Sequence, residues 1–64
     1  MSPIDRKISR IRLGLDQKTV ARMVGCHRTV ISMMERPGYD VRPELEHGYD
    51  RLLKRLEAEA AGNE

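Results

Sequence analysis

The chain has 64 residues, one cysteine, 12 Lys or Arg and 10 Asp or Glu, which give a net charge of +2. A chain of this length forms a single domain with a small core, and a lone cysteine excludes an intrachain disulfide. It has no long apolar run and no hydrophobic stretch near its start, so we expect neither a transmembrane helix nor a secretory signal. These features predict a cytoplasmic protein that does not associate with membranes.

Basic charge is concentrated in the first half of the chain. Residues 1–36 hold eight basic and three acidic side chains, a net charge of +5, whereas residues 37–64 hold four basic and seven acidic ones, a net charge of −3. Such asymmetry is typical of a protein with a basic binding face, although ordinary solvation of helix surfaces explains the same charges. Charge alone leaves both interpretations open.

The first predicted helix has clear start and end signals. Ser2 suits the N-cap, Pro3 the first helical position, and Asp5 completes a capping box with Ser2. Gly14 marks its end. Four apolar residues recur at helical spacing and predict a face that packs inward: Ile4, Ile8, Ile11 and Leu15.

Two short helices are predicted next. Asp16 is a good N-cap for the first of them, which Gly25 ends and which turns Val20, Ala21 and Val24 inward. The following helix is predicted from about Arg28 to Arg36, where Pro37-Gly38 breaks it. At 100° per residue its apolar side carries Val30, Ile31 and Met34. Its outward side carries Arg28, Thr29, Ser32, Met33 and Arg36.

A last helix is predicted over about 43–60, which makes the chain all-α. Pro43 opens it, and Glu44 and Glu46 lie in its first turn, where acids favour the helix dipole. Its apolar stripe consists of Leu45, Tyr49, Leu52, Leu53 and Leu56. Gly48 interrupts the stripe at a cost of about 1 kcal/mol relative to Ala, so the sequence leaves open one long helix or two.

The two short helices and the turn between them, about residues 17–36, have the pattern of a helix-turn-helix. Ala21 allows the helices to cross closely, and Gly25 permits the sharp turn. Such a unit presents its second helix to the major groove of DNA.

On these residues the chain resembles the Cro/CI class of helix-turn-helix repressors, especially the N-terminal domains of lambdoid phage repressors. The resemblance covers about residues 4–45 and depends on the segment 10–17 (RIRLGLDQ), on Gly25, and on Ile31-Ser32 and Glu35. It implies a small four- to five-helix lambda-repressor-like DNA-binding domain that represses transcription as a homodimer on a palindromic operator. The chain departs from the family at His27, where Ser or Thr is usual as the helix cap, at Pro37-Gly38, and in its acidic last helix.

The resemblance also implies roles for individual residues. Base contacts are expected from Arg28, Thr29, Ser32 and Met33, with Arg28 the best candidate for a bidentate contact to guanine. Contacts to the DNA backbone or minor groove are expected from Gln17, Lys18, Arg22, His27, Arg36 and Arg42. Each of these residues also fits a plain surface role, and Met33 also fits a partner-binding spot. Arg10 and Glu35 are implied to form a structural ion pair between the first and third helices.

Nothing in the sequence predicts a catalytic centre, a cofactor site or a metal site. Cys26 and His27 are adjacent, and His47 is the only other histidine, so no zinc-binding spacing exists. We therefore expect a protein that is not an enzyme. Two alternatives to a dimeric repressor remain open. One is an antitoxin or phage accessory autorepressor whose last helix docks a protein partner. The other is a helical adaptor that binds protein and no DNA.

Overall fold

The computed structural model describes residues 1–62, and these residues form four helices and no strand. The helices are α1 (Pro3–Arg12), α2 (Gln17–Val24), α3 (Arg28–Met34) and α4 (Pro43–Gly62). The predicted all-α class is confirmed, and α4 passes through Gly48 as one helix. No helix in this part of the chain is long and apolar enough to cross a membrane.

Local capping residues define the first two helices. The Ser2 hydroxyl accepts a hydrogen bond from the Asp5 amide at 3.2 Å, and the Asp5 carboxylate accepts one from the Ser2 amide at 3.5 Å, so the predicted capping box is present. Asp16 caps α2 by accepting a hydrogen bond from the Thr19 amide at 2.7 Å. These side chains satisfy backbone donors that a helix N-terminus leaves without partners.

A turn of three residues, 25–27, separates α2 from α3. Gly25 ends α2 in the left-handed region at φ 88°, which favours glycine, and its amide donates to the Ala21 carbonyl at 2.8 Å. The structure ends α3 at Met34, so the predicted end at Arg36 was wrong. Pro37 explains the earlier end, because a proline disfavours helical backbone at the residue before it.

The apolar core lies between α2, α3 and α4. It consists of Val20, Ala21, Ile31, Met34, Tyr49, Leu52 and Leu53. Leu45 and Leu56 are partly buried against the same cluster. The whole apolar stripe of α4 is therefore used inside the chain and does not form a free docking face.

The predicted inward face of α1 was wrong. Ile4, Ile8 and Ile11 are exposed, and the buried residues of α1 are instead Arg6, Ser9 and Arg10. The two guanidinium groups are buried because α3 and α4 supply carboxylates that pair with them. In this part of the chain, apolar packing on the core comes from Leu13 and Leu15, which follow α1.

Candidate nucleic-acid interface

A buried ionic cluster fixes the end of α3 against α1 and α4. The Arg10 guanidinium donates to both carboxylate oxygens of Glu35, at 2.7 and 3.0 Å, and also to the Leu15 carbonyl at 2.9 Å. Glu35 accepts further hydrogen bonds from the Tyr49 hydroxyl and from the Gln17 amide. Arg10 and Glu35 are the two residues that the resemblance pairs. Because Glu35 caps α3, its hydrogen bonds connect the end of α3 to Arg10 on α1, Gln17 on α2 and Tyr49 on α4.

Hydrogen bonding keeps Glu35 ionised despite its burial. Burial favours the neutral carboxyl, but the hydrogen bonds from Arg10, Tyr49 and Gln17 outweigh it and lower the pKa of Glu35. Burial, and then the hydrogen bond to Glu35, raise the pKa of the Tyr49 hydroxyl, so Tyr49 acts as a neutral donor. The cluster therefore holds one negative charge, which Arg10 neutralises.

A second ion pair, which sequence reasoning missed, lies beside the first. The Arg6 guanidinium donates to Asp50 at 2.7 Å and to the Met34 carbonyl at 3.1 Å, and it lies 3.7 Å from Glu46. Burial opposes ionisation of Asp50, but the hydrogen bond from Arg6 outweighs it and lowers the pKa of the carboxyl. Because Arg6 satisfies a carbonyl at the C-terminus of α3, α1 stabilises both the position and the end of that helix.

The outward side of α3 carries the predicted base-contacting residues. Arg28 and Thr29 are exposed, and Ser32 and Met33 are half-buried. Arg36 is exposed just beyond the helix end. The opposite side is anchored by buried Ile31 and Met34. Sequence periodicity therefore separates exposed Arg28 and Thr29 from buried Ile31 and Met34, whereas Ser32 and Met33, predicted to face outward, are half-buried like Val30 on the apolar side.

His27 is the N-cap of α3. Its Nδ1 accepts a hydrogen bond from the Thr29 amide at 3.1 Å and lies 2.9 Å from the Thr29 hydroxyl. Because Nδ1 accepts in this contact, the neutral ring carries its proton on Nε2. The imidazole thus replaces the Ser or Thr cap of the family that the sequence resembles, and it leaves an N–H donor on the exposed side of the turn.

Positive side chains line a cleft between α2 and α3. This basic cleft has a volume of about 410 Å³ and is lined by Lys18, Ala21, Arg22, Cys26, His27 and Arg28. Within residues 1–62, no acidic side chain lines it. Because like charges repel in an empty cleft and are neutralised by an anion, the arrangement suits a polyanionic ligand.

A smaller cleft of about 110 Å³ lies near the C-terminal end of α3 and contains two further cations. Its lining residues are Lys7, Gln17, Ser32, Glu35 and Arg36. The only acid among them, Glu35, is already paired with Arg10. Sequence reasoning missed Lys7, which lies on α1 and reaches this cleft only through the packing of α1.

Two predicted contact residues are placed differently from the rest. The Gln17 amide nitrogen donates to Glu35 at 3.1 Å, so Gln17 helps to hold the ionic cluster as well as lining the smaller cleft. Arg42 is exposed in the loop before α4 and lines neither cleft. The structure therefore brings together Lys18, Arg22, His27 and Arg28 near the N-terminal end of α3, and Gln17, Ser32 and Arg36 near its C-terminal end.

Comparison of the chain with protein-family models, with curated proteins and with solved structures gives no match. The functional argument therefore depends on the geometry and charges of this chain.

Proposed function

We propose that this protein is a sequence-specific double-stranded DNA-binding transcriptional regulator, a cytoplasmic repressor of the Cro/CI type. The observation that carries the proposal is the outward side of α3. It presents Arg28 and Thr29 to solvent, and cations line the clefts near its two ends. Among residues 1–62, the only acid that lines either cleft is Glu35, which is paired with Arg10.

In this proposal α3 enters the major groove. A helix with its side chains is about 10–12 Å in diameter and fits a groove about 12 Å wide. Arg28 at the start of α3 donates to the O6 and N7 acceptors of a guanine, and the Thr29 methyl group contacts a thymine methyl. The turn at Gly25 and the ionic cluster at Glu35 hold the two ends of α3, so its outward side chains meet the bases in a fixed register.

The flanking cations supply most of the affinity by contacting phosphates. Lys18 and Arg22 lie near the N-terminal end of α3, beside the neutral donor His27, and Lys7 and Arg36 lie near its C-terminal end. Each phosphate that a cation neutralises lowers the slope of log K against log salt by about 0.9. Binding through these side chains is therefore expected to weaken steeply as the salt concentration rises.

Repression would follow when two copies occupy the half-sites of a palindromic operator and block RNA polymerase. The two copies of α3 would then lie about 34 Å apart, which is one turn of DNA. The alternative of a partner-binding autorepressor docked through the apolar stripe of α4 has less support, because that stripe is used in the core.

The decisive experiment is selection of bound duplexes from a random pool, followed by titration of the selected duplex over a salt series. Arg28→Ala should weaken binding by about 1–3 kcal/mol and relax the preference at one base pair. Arg51→Ala is the matched control, because Arg51 is an exposed arginine on α4 outside both clefts. A pool that yields no enriched duplex, or equal losses from both variants, would refute the proposal.

A further inference from the structure

An exposed isoleucine stripe runs along the outer side of α1. Ile4, Ile8 and Ile11 are 57%, 47% and 57% exposed. At 100° per residue they span about 60° of the helix surface and point away from the buried side that carries Arg6, Ser9 and Arg10. Since ionic contacts rather than these isoleucines attach α1 to the rest of the chain, the stripe has no packing role within one copy.

The isoleucine stripe is complementary to the same stripe on a second copy of α1 that runs in the opposite direction. Its residues are spaced by four and then three, so in an antiparallel pair of α1 helices Ile8 lies beside Ile8 of the second copy and Ile4 beside Ile11. The axial offsets in this register are at most about 1.5 Å, the rise of one residue. Both copies therefore present apolar side chains to the same line of contact.

Charges on one flank of the stripe favour the same arrangement, and the two opposite-charge contacts there outnumber the one like-charge contact of Lys7 with its own copy on the other flank. Asp5 and Arg12 lie about 20° apart on one flank of the stripe and are separated by two helical turns. In an antiparallel pair with a twofold axis, each flank meets its own copy, so Asp5 approaches Arg12 of the second copy, and the contact occurs twice. Arg12 is free to make this exchange, since its side chain is 69% exposed and lies 3.5 Å from Glu57 in a surface pair, which contributes little.

We propose that the outer side of α1 is the self-association surface of this protein, and that its occupant is a second copy of the chain bound antiparallel. The opposite charges at Asp5 and Arg12 are complementary to those of a second, antiparallel copy of the same helix. The stripe is small beside the roughly 800 Å² per partner that stable interfaces bury. The dimer is therefore in equilibrium with the monomer and forms as concentration rises.

The first test is sedimentation equilibrium of the full chain without DNA over a wide concentration range. Ile8→Glu should remain monomeric at concentrations where the unaltered chain dimerises. Met23→Glu is the matched control and should dimerise normally, because Met23 is also 47% exposed but lies on α2. Circular dichroism should show the same helix content in both variants. A chain that is monomeric at every concentration, or equal loss of dimer in both variants, overturns the proposal.

The second test addresses the orientation. Asp5→Lys places two cations on the flank and Arg12→Glu places two anions there, so each variant alone should self-associate about tenfold more weakly or worse. An equimolar mixture of the two should dimerise, because every flank contact is then between opposite charges. Failure of the mixture to associate contradicts the antiparallel pairing. No DNA enters either measurement, so the result is independent of the proposed function.

Discussion

Replacing Glu35 with glutamine changes one atom and removes the negative charge of the buried ionic cluster. Arg10 then stays buried opposite an amide, although Tyr49 and Gln17 keep a neighbour of the same shape. Removing one partner of a buried ion pair costs roughly 3–5 kcal/mol, because the remaining charge has lost both water and counter-charge. Glutamine still accepts hydrogen bonds, so we expect a loss near the lower limit, about 3 kcal/mol.

Such a loss is large for this chain. At about 0.05–0.15 kcal/mol per residue, 64 residues give a free energy of unfolding of roughly 3–10 kcal/mol. For a domain of this size, a 3 kcal/mol loss corresponds to a fall in Tm of roughly 12–24 °C. Thermal and urea unfolding followed by circular dichroism measure both quantities.

Two further variants distinguish the loss of stability caused by an unpaired buried charge from any loss caused by the substitution itself. Glu59→Gln is the control, since Glu59 is an exposed partner of Arg55 at 3.9 Å, and its loss should stay within about 0.5 kcal/mol. Arg10→Met added to Glu35→Gln removes the unpaired cation and should recover part of the lost stability. If the second substitution instead lowers stability further, an uncompensated buried charge is not the cause.

The same variant changes the response to acid. The pKa of Glu35 is lowered in the folded chain, so at acidic pH the unfolded chain binds more protons than the folded one. The stabilisation is complete above about pH 4–5, where unfolded carboxyl groups are ionised, and it is lost as pH falls through the folded pKa. The unaltered chain should therefore lose stability in acid more steeply than Glu35→Gln, which keeps only the corresponding contributions of Asp16 and Asp50, whose pKa values are also lowered.

Three other substitutions or reactions test local features. Gly25→Ala should lower the free energy of unfolding in urea by about 1–2 kcal/mol, because the left-handed backbone at this position disfavours alanine. An added Cβ meets no atom within 4 Å, so steric overlap does not contribute. An unchanged stability would contradict the left-handed conformation. Gly48→Ala should raise the free energy of unfolding by about 0.5–1 kcal/mol in the same assay, because glycine within a helix is less stable than alanine. The new Cβ would lie at an ordinary 3.9 Å from Val24, so a lower stability would mean that α4 and α2 pack more closely than this distance indicates. Burial raises the pKa of the Cys26 thiol, so iodoacetamide should alkylate the folded chain at pH 8 more slowly than the urea-unfolded chain; equal rates would contradict the burial.

Helix ends that depend on neighbouring residues were predictable from the sequence. Ser2, Asp16 and Gly25 act through hydrogen bonds or backbone angles within a few positions, and the structure places all three as expected. The inward side of α1 was not predictable from spacing, because apolar periodicity does not reveal that distant carboxylates bury Arg6 and Arg10. Those partners lie 44 and 25 residues away along the chain.

The candidate interface was predictable to a similar extent. Helical periodicity separates exposed Arg28 and Thr29 from buried Ile31 and Met34, because α3 has regular geometry over its short length. It does not find Lys7, which the packing of α1 brings beside Arg36. The Arg10–Glu35 pair came from the family resemblance, and no pattern in the sequence pointed to Arg6 and Asp50.

The attachment of α1 through guanidinium groups affects how the fold responds to temperature. Among residues 1–62, unfolding exposes seven buried apolar side chains and the partly buried ones packed on them, together with four buried polar ones, those of Arg6, Ser9, Arg10 and Glu35. Newly hydrated apolar area raises the heat capacity, whereas newly hydrated polar area lowers it, so the two contributions partly cancel. The curve of unfolding free energy against temperature should therefore be broad and shallow, and the helices should stay assembled in the cold as well as at moderate warmth.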